Sequence, residues 1–169
     1  MRIIGLAGWQ NSGKTTLLAK VIPRLVARGC TVSTVKHAHE DFDIDRPGKD
    51  SWRHRQAGAS EVMIASERRW ALMHELRAAP EPPLDRLIAQ MSPVDLILVE
   101  GFKRHPHPKI EICRPALGRP PLYPDDPYVV AVASDIALPE LALPWLPLSD
   151  PATVARFIID HQGLGRWPS

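Results

Sequence analysis

A glycine-rich segment near the N-terminus has the residue types and the spacing of a phosphate-binding loop. Residues 8–15 read GWQNSGKT, which matches the pattern G-x-x-x-x-G-K-[ST]. Gly8 and Gly13 permit backbone angles and a close approach that a Cβ would block, so the loop's N–H groups can form an anion cradle at a helix N-terminus. Lys14 would contact the β and γ phosphates, and Thr15 would place its hydroxyl on Mg²⁺. The segment therefore predicts a site for a nucleoside triphosphate.

An acid at the end of an apolar run is the second candidate. Residues 95–101 read DLILVEG, the pattern of a strand that is buried on both faces and places Glu100 at its tip. A carboxylate there could hold Mg²⁺ directly or through water, or it could orient an attacking water; a solvated acid that only ends the strand is the plainer alternative. We take Lys14 and Glu100 as the candidate catalytic residues, and we predict that Asp95, at the other end of the strand, is structural.

Histidines and acids follow the second predicted strand. Residues 36–45 read KHAHEDFDID, a segment that could contact the γ-phosphate, a metal ion or a second substrate. His37 and His39 would suggest zinc, but neither a cysteine nor a further close histidine completes a tetrahedral set. His105 and His107 are incomplete in the same way. We favour a structural role for these histidines, and a GTPase that delivers a metal ion stays an alternative.

Strands and helices alternate along the chain and would have to position these residues. Asp50 or Ser51 would cap the second helix and Asp150 the last, and Pro23 should kink the first. The alternation predicts an α/β P-loop NTPase fold with three layers, in which helices cover both faces of a mainly parallel sheet. Apolar patterns predict strands over 2–7, 31–36, 61–65, 69–75, 95–99, 109–113 and 128–133, and helices over 15–28, 50–57, 84–91 and 152–160.

The candidate residues follow predicted strands of this sheet. Parallel α/β sheets bind their ligands at the carboxyl ends of the strands. The glycine loop, the segment after Lys36, Glu100 and Asp135 all fall at such ends. We therefore expect these four polar features to meet at one edge of the sheet.

Composition bounds the class of protein. A chain of 169 residues suits one domain, 1–169, with a full hydrophobic core. The 21 basic and 19 acidic side chains leave a net charge of +2, which is too even for a protein that mainly neutralises nucleic-acid phosphate. Cys30 and Cys113 form no paired motif, which indicates a reducing compartment. No run has the pattern of a signal peptide or a membrane span, so we expect a cytoplasmic protein that binds neither nucleic acid nor membrane.

Motifs beyond the glycine loop resemble the MobB family of molybdopterin-guanine dinucleotide biosynthesis adapter proteins. The matching segments are GWQNSGKTTL, VKHAH, FDIDRPGKDSWRHRQAGA, DLILVEGFK and AVASD, which occur in the family's order up to about residue 135. The glycine loop alone is generic. The VKHxH segment combined with DxPGKDSxRHRxAGA is specific, and it carries the resemblance.

The resemblance implies binding of GTP with Mg²⁺, weak GTPase activity and a homodimer. It also implies assistance to a MobA-like enzyme that joins GMP to molybdopterin, and it leaves open whether molybdopterin or the molybdenum cofactor binds directly. The metal ligands matched in this way are Thr15, Asp50 and Glu100. The residues that match the family's nucleotide site are Asn11, Ser12, Gly13, Lys14, Thr15 and Thr16.

The resemblance also places Asp135 in a guanine-binding loop. A carboxylate could accept hydrogen bonds from guanine N1–H and the exocyclic amine, which adenine cannot supply in that arrangement. The context VASD lacks the NKxD signature of common GTPases, and a strand-end cap is an equally weighted alternative. A small-molecule kinase is the other alternative for the function, although the sequence shows no separate lid over the phosphates. In such a kinase, the negative charge of the phosphates could be neutralised by Arg53, Arg55, Arg68 and Arg69.

Overall fold

The structure, a computed structural model, describes residues 1–38 and 42–165. His39, one of the histidines considered for zinc, lies outside these residues. The chain divides into two compact units, one formed by residues 1–37 and 88–169 and the other by residues 38–87. The single domain expected over 1–169 stays a prediction. Within the described ranges, no helix has the length and apolar character needed to cross a membrane.

The described residues form eight strands and four α-helices, which alternate as far as β3. The helices are α1 (Lys14–Val26), α2 (Asp50–Gln56), α3 (Leu84–Ile88) and α4 (Pro151–Gln162), and a 3₁₀ turn spans Pro115–Leu117. The strands are β1 (Arg2–Ala7), β2 (Val32–Lys36), β3 (Glu61–Ala65), β4 (Trp70–His74), β5 (Leu96–Glu100), β6 (Lys109–Cys113), β7 (Val129–Ser134) and β8 (Trp145–Pro147).

The first unit is built on a six-stranded sheet in the order β2-β5-β1-β6-β7-β8. Each neighbouring pair in this sheet is parallel. Every residue of β5 is buried, as expected of a central strand in a covered parallel sheet. The structure confirms the predicted α/β class with a mainly parallel sheet.

One face of this sheet packs against α1 and α4. The apolar face of α1 repeats at helical spacing, and α4 is held at its start by Asp150, whose side chain accepts the N–H groups of Ala152 and Thr153. This is the predicted cap. The buried cluster that joins sheet and helices includes Ile4, Leu6, Leu17, Leu18, Val21, Leu25, Leu96, Leu98, Ile110, Ile112, Val154 and Ile158.

Polar loops cover the opposite face of β6. Lys109 and Glu111 alternate with the apolar residues of this strand, yet each is only 1% exposed. Lys109 Nζ donates to Asp126 Oδ2 at 2.8 Å, and the Glu111 carboxylate accepts the N–H groups of Leu122 and Tyr123, both at 2.8 Å. Burial raises the pKa of Glu111. These bonds supply the partners that buried charged groups require, and they hold the loop after β6 against the sheet.

The structure differs from the local predictions at several helix and strand ends, of which the following are the largest differences. The N-cap of α2 is Lys49, with no side-chain hydrogen bond, and Asp50 is the first helical residue. The prediction that Asp50 or Ser51 caps this helix is therefore wrong. Helix α3 ends at Ile88 instead of residue 91. Strand β8 was not predicted, because prolines surround it in the sequence. It lies at the edge of the sheet, where the missing N–H of a proline need not break the ladder.

The second unit contains an antiparallel hairpin of β3 and β4. Met63 pairs with Leu72, and Ala65 pairs with Trp70, so the two predicted strands do pair. Within this unit the Arg55 guanidinium contacts three carboxylates. They belong to Asp43, Asp45 and Glu75, at 2.6, 2.9 and 3.2 Å.

Candidate nucleotide-binding site

The carboxyl edge of the parallel sheet brings together the polar features of the first unit. The glycine loop follows β1, His37 follows β2, Glu100 ends β5 and Asp135 follows β7. Because these strands run in the same direction, their carboxyl ends share one edge, as predicted. Asp50 belongs to the other unit, and its role as a metal ligand stays a prediction.

The backbone of the glycine loop requires a residue without a side chain at Gly8. Gly8 has φ 145°, and a Cβ there would lie 2.6 Å from the carbonyl oxygen of Ile112. The neighbouring loop residues Asn11 and Gly13 also have positive φ, at 64° and 98°. Gly13 is the N-cap of α1 and makes no side-chain capping bond, so the first N–H groups of α1 are left for another acceptor. The loop thus has the conformation of an anion cradle.

Lys14 folds over this loop. Its Nζ donates to the carbonyl oxygens of Gly8, at 3.0 Å, and Trp9, at 2.8 Å. Burial lowers the pKa of Lys14, and the charge of nearby Lys103 lowers it further. A phosphate beside the ammonium would act in the opposite direction, because an opposite charge favours the charged form. The charge of the nearby Glu100 already raises the Lys14 pKa, and a phosphate in the loop would add to that effect.

Thr15 and Glu100 meet directly. The Thr15 hydroxyl donates to Glu100 Oε1 at 2.6 Å, and Glu100 is 9% exposed at the tip of β5. These are the residue types that Mg²⁺ takes as ligands, a hydroxyl and a carboxylate oxygen. Both residues therefore fit a Mg²⁺ ion at the start of α1. Thr16 follows on the same helix and is exposed.

Ser12 is the most buried polar residue of the loop. It is 1% exposed, and its hydroxyl makes no hydrogen bond within the described part of the chain. Its Oγ lies 2.9 Å from the position that a Cβ of Gly8 would take. A buried hydroxyl without a partner costs about 1–3 kcal/mol. This hydroxyl is therefore available to an oxygen ligand bound in the loop.

Arg114 is a residue of this site that the sequence did not single out. It follows β6, and its Nε donates to the carbonyl oxygen of Ser12 at 2.9 Å. Its Nη1 donates to Asp135 Oδ2 at 3.2 Å. Arg114 belongs to no motif. It could have been predicted only from its position directly after a strand of the parallel sheet, where ligands bind. It links the glycine loop to the acid that was considered for guanine.

Trp9 and Lys103 form a second feature that was missed. The Trp9 indole N–H donates to the carbonyl oxygen of Pro120 at 2.7 Å. The Lys103 ammonium lies 4.5 Å from the centre of the Trp9 ring, within the range of a cation–π contact. Gly101 and Phe102, both with positive φ, turn the chain between Glu100 and Lys103. A lysine that follows the strand-tip acid is thereby held beside the glycine loop.

His37, His105 and His107 each contact neighbouring residues of the first unit. The His37 N–H continues the β2–β5 ladder by donating to the Glu100 carbonyl oxygen at 2.8 Å, and the His37 ring lies 4.8 Å from the Phe102 ring. The Nδ1 atoms of His105 and His107 are 3.2 Å apart, and burial lowers the pKa of His107 to about 4. Across residues 1–38 and 42–165, no group of three or more His, Cys, Asp or Glu side chains could hold a metal ion.

Asp95 has the structural role predicted for it. Its carboxylate accepts both the backbone N–H and the hydroxyl of Thr31, at 2.8 and 2.7 Å. These bonds lower the pKa of Asp95. They join the residues before β2 and β5 at the edge opposite Glu100.

Known proteins with similar sequences share one description. The chain is 44% identical over 161 residues to a molybdopterin-guanine dinucleotide biosynthesis adapter protein of Escherichia coli strain K12, covering 94% of this chain and 91% of that protein. It is 44% identical over 159 residues to the protein of the same name in Haemophilus influenzae, covering 92% and 86%. The family model described as molybdopterin guanine dinucleotide synthesis protein B, MobB, matches residues 3–135.

Solved structures with the same fold carry related names. The crystal structure of Bacillus subtilis MobB aligns with a TM-score of 0.75 at 26% identity, covering 96% of this chain and 98% of that one. The MobB homolog from Bacillus stearothermophilus aligns with a TM-score of 0.70 at 25% identity, covering 98% and 100%. With a family model matched over most of its length and relatives aligned over nearly all of it, this chain belongs to the MobB family.

Proposed function

We propose that this protein is a GTP-binding adapter in molybdopterin-guanine dinucleotide biosynthesis, with weak GTPase activity. The single observation that carries the nucleotide part is the 2.6 Å hydrogen bond from Thr15 to Glu100. It joins the hydroxyl of the glycine loop to the acid of a neighbouring strand, the pair that P-loop proteins use for Mg²⁺. The adapter part rests on the names of the relatives in E. coli and H. influenzae.

The residues of the site have distinct roles in this proposal. The glycine loop binds the phosphates through its N–H groups, and Lys14 exchanges its bonds to the Gly8 and Trp9 carbonyl oxygens for bonds to phosphate oxygens. Bound Mg²⁺ supplies positive charge to the β and γ phosphates. Glu100 holds the metal ion or orients the attacking water, and Asp135 accepts the N–H groups of guanine. Asp50 is proposed as a further metal ligand from the family resemblance alone.

The adapter acts on a MobA-like enzyme that attaches GMP to molybdopterin. If the two proteins bind each other with an affinity that depends on GTP, GTP binding must depend equally on the partner. Among the described residues, no arrangement of side chains identifies a pterin site. Titration of the protein with molybdopterin, with and without the partner enzyme, measures whether the pterin binds directly.

We expect this protein to raise the yield of guanine-dinucleotide cofactor in a reconstitution with the purified partner enzyme at limiting GTP. The Lys14→Ala variant should not stimulate, because its glycine loop lacks the ammonium that pairs with the phosphates. The measurement is cofactor formed per unit time over a range of GTP concentrations. Absence of both stimulation and complex formation would end the adapter proposal, and phosphorylation of an added acceptor would then support the small-molecule kinase.

The homodimer implied by the family is proposed to form through the β3–β4 hairpin. Met63, Trp70 and Leu72 lie on one face of this hairpin, because cross-strand partners share a face, and they are 62%, 64% and 42% exposed. Two-stranded hairpins are marginal by themselves, and contiguous apolar surface of this kind marks protein–protein contacts. A second copy of the chain would cover the face and pair an open strand edge.

Replacing Trp70 by glutamate is expected to convert the dimer to a monomer without unfolding the chain. A charge on this face would have to be buried without a partner in the dimer, whereas it stays solvated in the monomer. Sedimentation equilibrium measures the mass against the 18.8 kDa of one chain. Val26→Glu, which changes a 54% exposed residue at the end of α1, is the matched control and should stay dimeric. A Trp70→Glu variant with the mass of the wild type would exclude this interface.

A further inference from the structure

Arg114 bridges two elements that the proposed function uses separately. Its Nε donates to the Ser12 carbonyl oxygen in the glycine loop, at 2.9 Å, and its Nη1 donates to Asp135 Oδ2, at 3.2 Å. The planar guanidinium lies against the open side of Gly13, where a Cβ would be 3.5 Å from Nη2. One side chain therefore fixes the separation between the phosphate loop and the carboxylate.

The backbone at Asp135 is fixed independently of Arg114. The fully buried Ser134 donates its hydroxyl to the carbonyl oxygen of Ile136 and accepts the indole N–H of Trp145, the latter at 2.8 Å. The Leu148 N–H donates to the Ser134 carbonyl oxygen at 2.9 Å. Arg114 therefore orients the Asp135 side chain, whereas the position of the Asp135 backbone does not depend on Arg114.

The Asp135 carboxylate keeps free acceptor capacity in this arrangement. A carboxylate offers about four lone-pair sites on its two oxygens, and the Arg114 bond occupies one of them on Oδ2. The side chain of Asp135 is 36% exposed, so a ligand can approach the carboxylate from solvent. A base with two adjacent N–H donors, as guanine has, can bind without displacing Arg114.

Stability alone does not account for this pair. The side chain of Arg114 is 40% exposed, and ion pairs that are exposed to solvent contribute little to stability. Arginine nevertheless suits a bridging role, because its rigid fork can donate to two acceptors at once, whereas a lysine ammonium is a point charge on a flexible stem.

We propose that Arg114 is a positioning residue for guanine selectivity, which holds the Asp135 carboxylate at a set distance from the phosphate loop. The proposal rests on the proposed function, since it presumes that a GTP-type ligand binds the loop. A nucleotide whose phosphates lie in the loop then presents its base to a carboxylate whose direction is already set. Selectivity increases because less side-chain ordering accompanies binding of the correct base.

The test is titration of GTP, ITP and ATP in the presence of Mg²⁺ against the full chain, for the wild type and its variants. We expect Arg114→Ala to lower the GTP-over-ATP affinity ratio about fivefold, with ATP affinity changed less than about twofold. ITP, which lacks the exocyclic amine, should lose less affinity than GTP. Arg114→Lys should behave as Arg114→Ala, because it keeps the charge but loses the fork.

Two further variants distinguish positioning from a general effect on the fold. Asp135→Ala should lower the same ratio at least as far, and the double variant Arg114→Ala, Asp135→Ala should lower it no further, since coupled residues are not additive. Arg24→Ala, which removes an exposed arginine bonded to the Lys20 carbonyl oxygen on α1, is the control and should keep the ratio of the wild type. Thermal unfolding of each variant checks that the fold is retained.

The outcomes separate this inference from the proposed function. A wild-type protein without a preference for GTP would overturn the proposed function and this inference together. A wild-type preference that Asp135→Ala abolishes and Arg114→Ala leaves intact would overturn this inference alone. Equal weakening of GTP and ATP in Arg114→Ala would also overturn it, because Arg114 would then act only through the phosphate loop.

Discussion

Replacing Lys14 by alanine is expected to weaken GTP binding by at least about tenfold. Removing one partner of a hydrogen-bonded charge pair costs about 2–5 kcal/mol, and the Lys14 ammonium would be the main side-chain charge on the β and γ phosphates. In the structure this ammonium already lies in the loop, 3.0 Å from the Gly8 carbonyl oxygen and 2.8 Å from that of Trp9. Titration with GTP and Mg²⁺ measures the change.

Lys20→Ala is the matched control for this experiment. Lys20 lies on the same helix, is exposed, and is outside the glycine loop, so its replacement should leave GTP affinity unchanged. Thermal unfolding should be similar for both variants, because neither side chain belongs to the apolar cluster under α1. Equal GTP affinity in wild type and Lys14→Ala would remove the assignment of residues 8–15 as the phosphate site.

Local patterns predicted the elements that depend on neighbours in the sequence. The spacing of the glycines predicted the loop between β1 and α1, and the apolar run predicted β5. Each of these predictions depends only on residues that are close together in the sequence. Asp150 was predicted as a cap for the same reason: its side chain bonds to N–H groups two and three residues further on. The carboxyl edge, and with it the meeting of the glycine loop with Glu100 and Asp135, followed from parallel topology.

Residues whose partners are remote in sequence could not be predicted in this way. Lys109 and Glu111 alternate with apolar residues, which is typical of a half-exposed strand, yet the loop after β6 buries both by supplying partners up to 17 residues away. Arg114 contacts Ser12 across 102 residues, and no local pattern carries that information. Strand β8 depends on an open edge of β7, which tolerates a proline that local propensity counts against a strand.

Replacing Glu100 by glutamine is expected to slow GTP hydrolysis by at least about tenfold while weakening GTP binding far less. The Thr15 hydroxyl donates to Glu100 Oε1 at 2.6 Å, and an amide oxygen in the same place can still accept this bond. The substitution therefore keeps the shape of a 9% exposed side chain and removes only its charge. That charge is what a Mg²⁺ ion or an attacking water would use.

Asp95→Asn is the control for the charge itself, because it removes a carboxylate from the other end of the same strand. Asp95 bonds to Thr31 on the edge opposite the glycine loop, so its neutral variant should hydrolyse GTP at the wild-type rate. Turnover of Glu100→Gln is measured across a Mg²⁺ titration. Recovery at high Mg²⁺ would assign Glu100 to the metal ion, and a loss that Mg²⁺ does not restore would assign it to the attacking water. Unchanged turnover at every Mg²⁺ concentration would show that Glu100 has only a structural role, as the acceptor of the Thr15 hydrogen bond.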